Sequence, residues 1–352
     1  MAANRMANLP TDRKKTMTSE QIVVIGPGSW GTALAMLLAK NGHAVRLWDF
    51  SAAHIAAIQK NRRNEQHLPG IDLPENILVT ASLTEAARGC RHICLVVPSH
   101  GLRQVYGQLQ PLFAEDTFII SAIKGIENET LLTMSNLIKT LDEAAGRRGN
   151  PPSVLSGPSF ALEVAKEMPT AIAIGCADPA IATMWQRIFS TSWFRVYTSG
   201  DVIGLELAAS LKNVIAIATG ICDGIGFGLN ARAALITRGL AEISRLGVAL
   251  GASPATFLGL GGAGDLILTC TGALSRNRQT GLLLAEGKNL EEINERLQMV
   301  AEGVKTTKSA FDLARKMGID MPIAEQMYQI IYQGKDCATA ARDLLMRELK
   351  PE

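Results

Sequence analysis

The sequence predicts two unlike halves: an α/β N-terminal domain built on a mostly parallel sheet, followed by an all-α C-terminal domain. Three observations carry this. Up to about residue 200 of 352, short β-branched runs alternate with helical patterns, as expected of parallel strands joined by crossover helices. The first of these runs passes directly into a glycine turn and then a helix. After Asp201 the strand signals fade and long segments rich in Ala and Leu take over.

Taken in order, residues 1–20, "MAANRMANLPTDRKKTMTSE", are polar and basic. They lack the apolar stretch of a secretory leader, so a mobile extension is expected. The α/β domain is expected over 21–200. Its strands are predicted at "QIVVIG" (21–26), "AVRLWD" (44–49), "HICLVV" (92–97), "TFIISA" (117–122), "SVLS" (153–156), "TAIAIG" (170–175) and "FRVYT" (194–198). Amphipathic stretches such as 31–41 and 51–61 supply the intervening helices. "TSGD" at 198–201 offers a turn and a helix cap, which puts the boundary there. The helical domain, 201–352, is predicted to hold helices at 202–221, 230–250, 277–286, 290–298, 302–317, 322–332 and 336–349. Glu206, Lys212 and Asp223 interrupt the most apolar of these, so no membrane span is expected.

Composition narrows the function. With 47% hydrophobic and 19% charged residues, the chain can bury a substantial core. A net charge of +2 gives no global field for a polyanion, so nucleic acid is not an expected partner. The six cysteines are scattered, mostly in apolar runs, which predicts reduced thiols in a cytoplasmic protein. All five histidines fall in the first third without metal-ligand spacing, so no metal is expected.

"VVIGPGSWG" contains G-x-G-x-x-G at Gly26, Gly28 and Gly31. It has the context this pattern needs, a strand before it and a helix after it. Gly26 permits a tight turn, Gly28 lets the backbone approach a pyrophosphate, and Gly31 lets helix and strand pack closely. Asp49 ends the next strand, near the spacing of an acid that hydrogen-bonds the adenosine ribose. The first domain therefore reads as Rossmann-like. Such a half does not name a reaction; a nicotinamide dehydrogenase, a methyltransferase and a nucleotide-sensing module all remain open.

Chemistry-bearing residues cluster elsewhere. "SAIKGIE" puts Lys124 just past a strand, where side chains face the ligand crevice of a parallel sheet. In "SGPSFALEV", Gly157 and Pro158 shape a turn and Ser159 can cap the following helix; its amides can hold an oxyanion. Ser156 is not a convincing nucleophile, since no histidine follows to activate it. "GGAGDLILTCTGALSRNRQTG" joins a glycine turn, Asp265, and the polar knot Ser275, Arg276, Asn277 and Arg278. An arginine fork flanked by neutral donors suits a small phosphate. Finally, "AASLKNVIAIATG" sets Lys212 among small and apolar residues with no acid at helical spacing. Either Lys212 snorkels to water or pairs with a distant residue, or it serves as a desolvated acid/base with a lowered pKa.

At this point the chain resembles the bacterial NAD(P)-dependent glycerol-3-phosphate dehydrogenase family. The matching stretches are "IGPGSWGTALA", "VPSH", "KGIE", "SGPSFA", "LKNVIAIATG", "DGIGFGLNARAALITRGLAE", "GGAGDLILTCTGALSRNRQTG", "AEGVKTT" and "MPIAEQMY". The resemblance implies interconversion of dihydroxyacetone phosphate and sn-glycerol 3-phosphate with NAD or NADP as cofactor, in supply of phospholipid synthesis. It implies Lys212 as general acid/base, oriented by Asp265, and Lys124 in contact with substrate and cofactor. Gly157, Ser159, Asp265, Ser275, Arg276 and Asn277 then match substrate-binding positions. Ser29, Trp30, Ala161, Arg276, Val300 and Glu302 match cofactor-binding positions. It also implies a homodimer. One departure is "LWDF", where the family usually carries Arg or His at the position of Phe50. With Asp49 beside it, this predicts that both cofactors are used, with NADH at least comparable to NADPH, unless Arg62 or Arg63 swings in. A dehydrogenase of a β-hydroxy acid and a non-catalytic redox-sensing module are the competing readings.

Overall fold

The computed structural model describes residues 19–297 and 301–349. Strands β1 (Gln21–Ile25), β2 (Ala44–Trp48), β3 (Ile77–Thr80), β4 (His92–Leu95), β5 (Phe118–Ser121), β6 (Ser153–Ser156), β7 (Thr170–Gly175) and β8 (Phe194–Ser199) form one sheet. Its order is β3-β2-β1-β4-β5-β6-β7-β8. Neighbours are parallel except β6 and β7, which run antiparallel. The mostly parallel α/β expectation holds. The strand missed was β3, whose four residues "ILVT" are too short to show a period.

Helices α1 (Ser29–Lys40), α2 (Ala52–Asn61), α3 (Leu83–Ala87), α4 (Leu102–Leu109), α5 (Met134–Ala144), α6 (Ala161–Ala165) and α7 (Pro179–Phe189) accompany the strands. Both sheet faces are covered. Leu34 and Leu38 of α1 share a core with Trp185 of α7, and Tyr106 of α4 shares another with Leu137 and Ile138 of α5. A sheet so buried reads as continuous apolar runs, which is why its strands were visible in the sequence. Chain order reverses between β1 and β4, and this opens a crevice at their carboxyl ends.

Gly26 and Gly31 build the crevice floor. Gly26 sits at φ +108°, and a β-carbon there would lie 2.9 Å from the Val96 carbonyl oxygen. A β-carbon on Gly31 would overlap the Gly26 carbonyl oxygen. Gly31→Ala is therefore expected to push α1 off the turn and cost about 1–3 kcal/mol, the range for overpacking. A denaturation midpoint equal to that of the parent protein would refute the close packing.

The remaining helices are α8 (Val202–Gly224), α9 (Leu229–Ala249), α10 (Pro254–Phe257), α11 (Asp265–Thr271), α12 (Arg276–Ala285), α13 (Leu290–Leu297), α14 (Glu302–Met317), α15 (Pro322–Gln333) and α16 (Cys337–Leu345). Asp201 caps α8, its Oδ1 accepting the Gly204 N–H at 2.9 Å. By length and hydropathy α8 could cross a membrane, but 89% of its most apolar window is buried inside the protein. Every residue from Gly204 to Cys222 is buried. A helix apolar on all sides is the central helix of a core, and the others pack around it. The contact with α12 is close: β-carbons on Gly220 and Gly281 would overlap backbone of the facing helix.

One segment departs from expectation. The sequence predicts a glycine turn before Asp265 in "GGAGDLILTCTG". Instead, Leu260–Gly264 forms a single wide turn of π type and α11 starts at Asp265. Four glycines and a seven-residue helix leave too little periodicity to detect. All six cysteines are free thiols, and no cluster with metal-binding composition exists among the described residues.

Candidate active site

The crevice is lined from both parts of the chain. On the sheet side, Gly28 caps α1 without any side-chain bond, and no atom would lie within 4 Å of a β-carbon on it. The first-turn amides, from Ser29, Trp30 and Gly31, therefore border open space at a helix N-terminus. Ser29 Oγ donates to the His67 carbonyl at 2.6 Å. The Trp30 indole packs against the core and its Nε1 is buried without a partner.

Asp49 lies one residue past the end of β2, close to where it was expected, but is not a bare carboxylate. Its Oδ2 lies 2.6 Å from His54 Nδ1. His54 Nε2 lies 3.0 Å from Asn64 Oδ1, and Asn64 Nδ2 donates to the Pro27 carbonyl inside the glycine turn at 2.6 Å. Phe50 is 84% exposed. Arg62 donates to the carbonyls of Ile77 and Pro74, and Arg63 pairs with Asp72, so neither arginine is held toward Asp49.

Lys212, Asp265 and Lys124 meet across the crevice. Lys212 is 3% exposed and Asp265 1%, which rules out snorkelling. Lys212 Nζ donates to Asp265 Oδ1 and, at 2.9 Å, to Thr269 Oγ1. Lys124 Nζ lies 3.4 Å from Asp265 Oδ2. Burial disfavours the ammonium and pushes Lys212 down to about 7; Asp265 opposes the shift and Lys124 adds to it. Two lysines on one carboxylate leave the cluster with a positive balance when both are charged, and that suits an anionic ligand.

Turn residues frame this cluster. Gly157 has φ +146°, and a β-carbon there would lie 2.8 Å from Ile172 Cα. The turn brings Pro158 against Gly264, beside Asp265. Ser159 does not cap α6: its Oγ donates to the Gly157 carbonyl at 2.9 Å, and the cap position belongs to Phe160. The tight turn keeps the hydroxyl on its own loop. Ala161 opens α6, half-buried against the core.

On the helical side, Ser275 caps α12 by accepting the Arg278 N–H at 3.2 Å. Asn277 is tied at both ends, donating to Asn213 Oδ1 and accepting the Gly303 N–H, each at 3.0 Å. The guanidinium of Arg276 is pulled below its usual value by burial, with Glu302 opposing. Glu302 itself reaches across to the loop after β4 and accepts from Ser99 Oγ at 2.9 Å. Val300 lies outside the described residues.

Three residues escaped sequence reasoning. Thr269 lies four positions after Asp265, a spacing that has meaning only once α11 is known. Asn213 neighbours Lys212, and adjacency on a helix gives no sign of a shared crevice. His54 looked like a lone histidine, because its partners are Asp49 and Asn64 rather than further metal ligands.

A doubly wound sheet with a glycine cradle at its reversal point, facing a helical unit that completes the crevice, defines the class of two-part nicotinamide dehydrogenases. The particular family follows from comparison. The chain belongs to the NAD-dependent glycerol-3-phosphate dehydrogenase family, whose N-terminal profile matches residues 21–182 and C-terminal profile residues 201–342. It is 54% identical to the glycerol-3-phosphate dehydrogenase [NAD(P)+] of Desulfotalea psychrophila over 94% of this chain and 98% of that one. Among solved structures, the glycerol-3-phosphate dehydrogenase of Coxiella burnetii superposes with a TM-score of 0.89 at 38% identity, covering 94% and 99% of the two chains. That of Saccharomyces cerevisiae gives 0.78 at 27%, covering 94% and 100%.

Proposed function

We propose that this protein interconverts dihydroxyacetone phosphate and sn-glycerol 3-phosphate by hydride transfer with NAD or NADP. The observation that carries this is the buried Lys212–Asp265 pair with half-buried Lys124 beside it in a chain of this family. Membership also decides against the β-hydroxy acid dehydrogenase and the redox-sensing module. The cradle fits a dinucleotide: Gly26, Gly28 and Gly31 leave no side chain between the α1 amides and a pyrophosphate. Ser29, Trp30, Asp49, Phe50, Ala161, Arg276 and Glu302 would border the cofactor. When bound, its nicotinamide accepts or supplies the hydride.

The chain's own residues handle the proton and the charge. In the oxidative direction neutral Lys212 takes the hydroxyl proton from C2; in reduction its ammonium returns one to the forming alkoxide. Asp265 and Thr269 fix Nζ in place. Lys124 adds positive charge where oxygen becomes anionic. Gly157 and Ser159 border the substrate from the turn, and Ser275, Arg276 and Asn277 would receive its phosphate at the N-terminus of α12.

An NADH-oxidation assay with dihydroxyacetone phosphate, beside unphosphorylated dihydroxyacetone, tests the assignment. Consumption is expected only with the phosphorylated ketone, and none with either would reject it. Arg276→Lys is expected to raise KM for that substrate about tenfold, because an ammonium keeps the charge but loses the two-pronged fork. An unchanged KM would move the phosphate elsewhere.

The same reading places the enzyme in the cytoplasm, where it would supply the glycerol phosphate backbone of phospholipids. It also makes the enzyme a homodimer. Supporting the dimer is an apolar groove of about 480 Å³ beside α9 and α16, with Leu229, Leu345 and Met346 exposed at or near it. Sedimentation at the mass of a monomer would argue against it.

A further inference from the structure

The hydrogen bonds around His54 fix a proton count. The Asn64 amide is oriented from two sides. Its Nδ2 donates to the Pro27 carbonyl at 2.6 Å and to Thr32 Oγ1 at 2.8 Å. Its Oδ1 accepts the backbone N–H of His67 at 3.2 Å. That same Oδ1 lies 3.0 Å from His54 Nε2, so Nε2 must carry a proton. On the other side of the ring, Nδ1 lies 2.6 Å from Asp49 Oδ2. Two lone pairs cannot face each other at that distance, so a second proton sits between them. An imidazole nitrogen is a stronger base than a carboxylate oxygen, so this proton belongs to the ring. Asp49 and His54 thus form a buried pair of zero net charge, and Ser51 holds it by capping α2 on the His54 N–H.

This matters where the dinucleotide's adenosine would lie, and the argument rests on the dinucleotide reading above. A bare carboxylate at the end of β2 repels a ribose 2′-phosphate; a neutralised one does not. Oδ2 is taken by His54, which leaves Oδ1 as the acceptor for a ribose hydroxyl.

We infer that His54 is a specificity-determining residue for the cofactor. Its doubly protonated ring cancels the Asp49 charge, and the pocket admits NADP as well as NAD; without that ring the bare carboxylate would turn the pocket toward NAD.

The neighbours do not take over this role. His67 meets His54 edge-on, with ring centroids 5.2 Å apart. Burial lowers the His67 pKa, His54 and Arg276 lower it further, and Asp49 opposes. Burial and these cations thus disfavour a charged His67 ring, and Arg276 acts on this corner from α12 as a permanent charge. Arg62 and Arg63 are committed elsewhere.

The test measures dissociation constants of NADPH and NADH by nicotinamide fluorescence, at one pH and fixed ionic strength, for the parent protein and His54→Gln. Glutamine keeps hydrogen bonding but carries no charge. In the parent, the NADPH-to-NADH ratio of dissociation constants is expected to be about tenfold lower than in His54→Gln, the scale of one unit charge at close approach. Asp49→Asn gives a low ratio and serves if the glutamine variant fails to fold. Independently, both His54 ring nitrogens should be protonated in ¹⁵N spectra at about pH 6 without cofactor. Identical ratios in parent and His54→Gln, or a single protonated nitrogen, overturn the inference while dinucleotide binding stands. Binding of neither dinucleotide overturns the dinucleotide reading as well.

Discussion

Lys212→Met is expected to lower kcat by about two to four orders of magnitude while the protein folds and still binds dinucleotide. That range is typical of losing a positioned proton-transfer group and corresponds to about 2.7–5.5 kcal/mol of barrier. Methionine keeps most of the volume inside α8, so packing changes little. It removes the buried ammonium, which leaves Asp265 paired with Lys124 alone. The pH dependence gives a second readout. Burial places Lys212 at about 7, so its base form accumulates as pH rises through that value. Oxidation of glycerol phosphate should therefore rise through about pH 7, and reduction of the ketone should fall. Both limbs should vanish in the variant. Near-normal turnover by a folded Lys212→Met protein would reduce the lysine to a structural ion pair.

How much of this was legible in the sequence depends on how local each signal is. The cradle was fully legible, because Gly26, Gly28 and Gly31 act within six residues and next to one strand. The central helix was legible for a similar reason: a run apolar on every side has few other places to go. The partner of Lys212 could be named only through resemblance, since Asp265 lies far along the chain and no periodicity connects them. Asp49 shows the opposite failure. Its position just after β2 was legible, but its partner was not. The pairing depends on His54 and on the way Asn64 is held by Pro27, and such a chain of hydrogen bonds leaves no pattern of residue types. Ser159 shows a third kind of limit. A serine before a helix is the usual capping signature, yet the tight turn at Gly157 captures its hydroxyl one step earlier.

Asp265→Asn is expected to lower kcat for ketone reduction by about two to three orders of magnitude at neutral pH, through the protonation state of Lys212 rather than through lost contact area. Asp265 is the group that holds Lys212 up; desolvation and Lys124 both push it down. An asparagine keeps the shape and one acceptor oxygen but withdraws the negative charge. Lys212 then titrates below its present value of about 7, and at neutral pH little of the acid form remains to protonate the alkoxide. Two lysines would also face each other without a counter-charge, so a phosphorylated substrate that brings its own negative charge should bind at least as well as before. The expected signature is therefore a fall in kcat with KM unchanged or lower, and a reduction limb moved to lower pH. This separates the variant from Lys212→Met, which has no limb at all. It also separates it from simple loss of folding, which would cost both directions alike: with Lys212 already neutral, oxidation at neutral pH should suffer less than reduction. A reduction profile with its limb still at about pH 7 would show that Asp265 does not govern the lysine's proton.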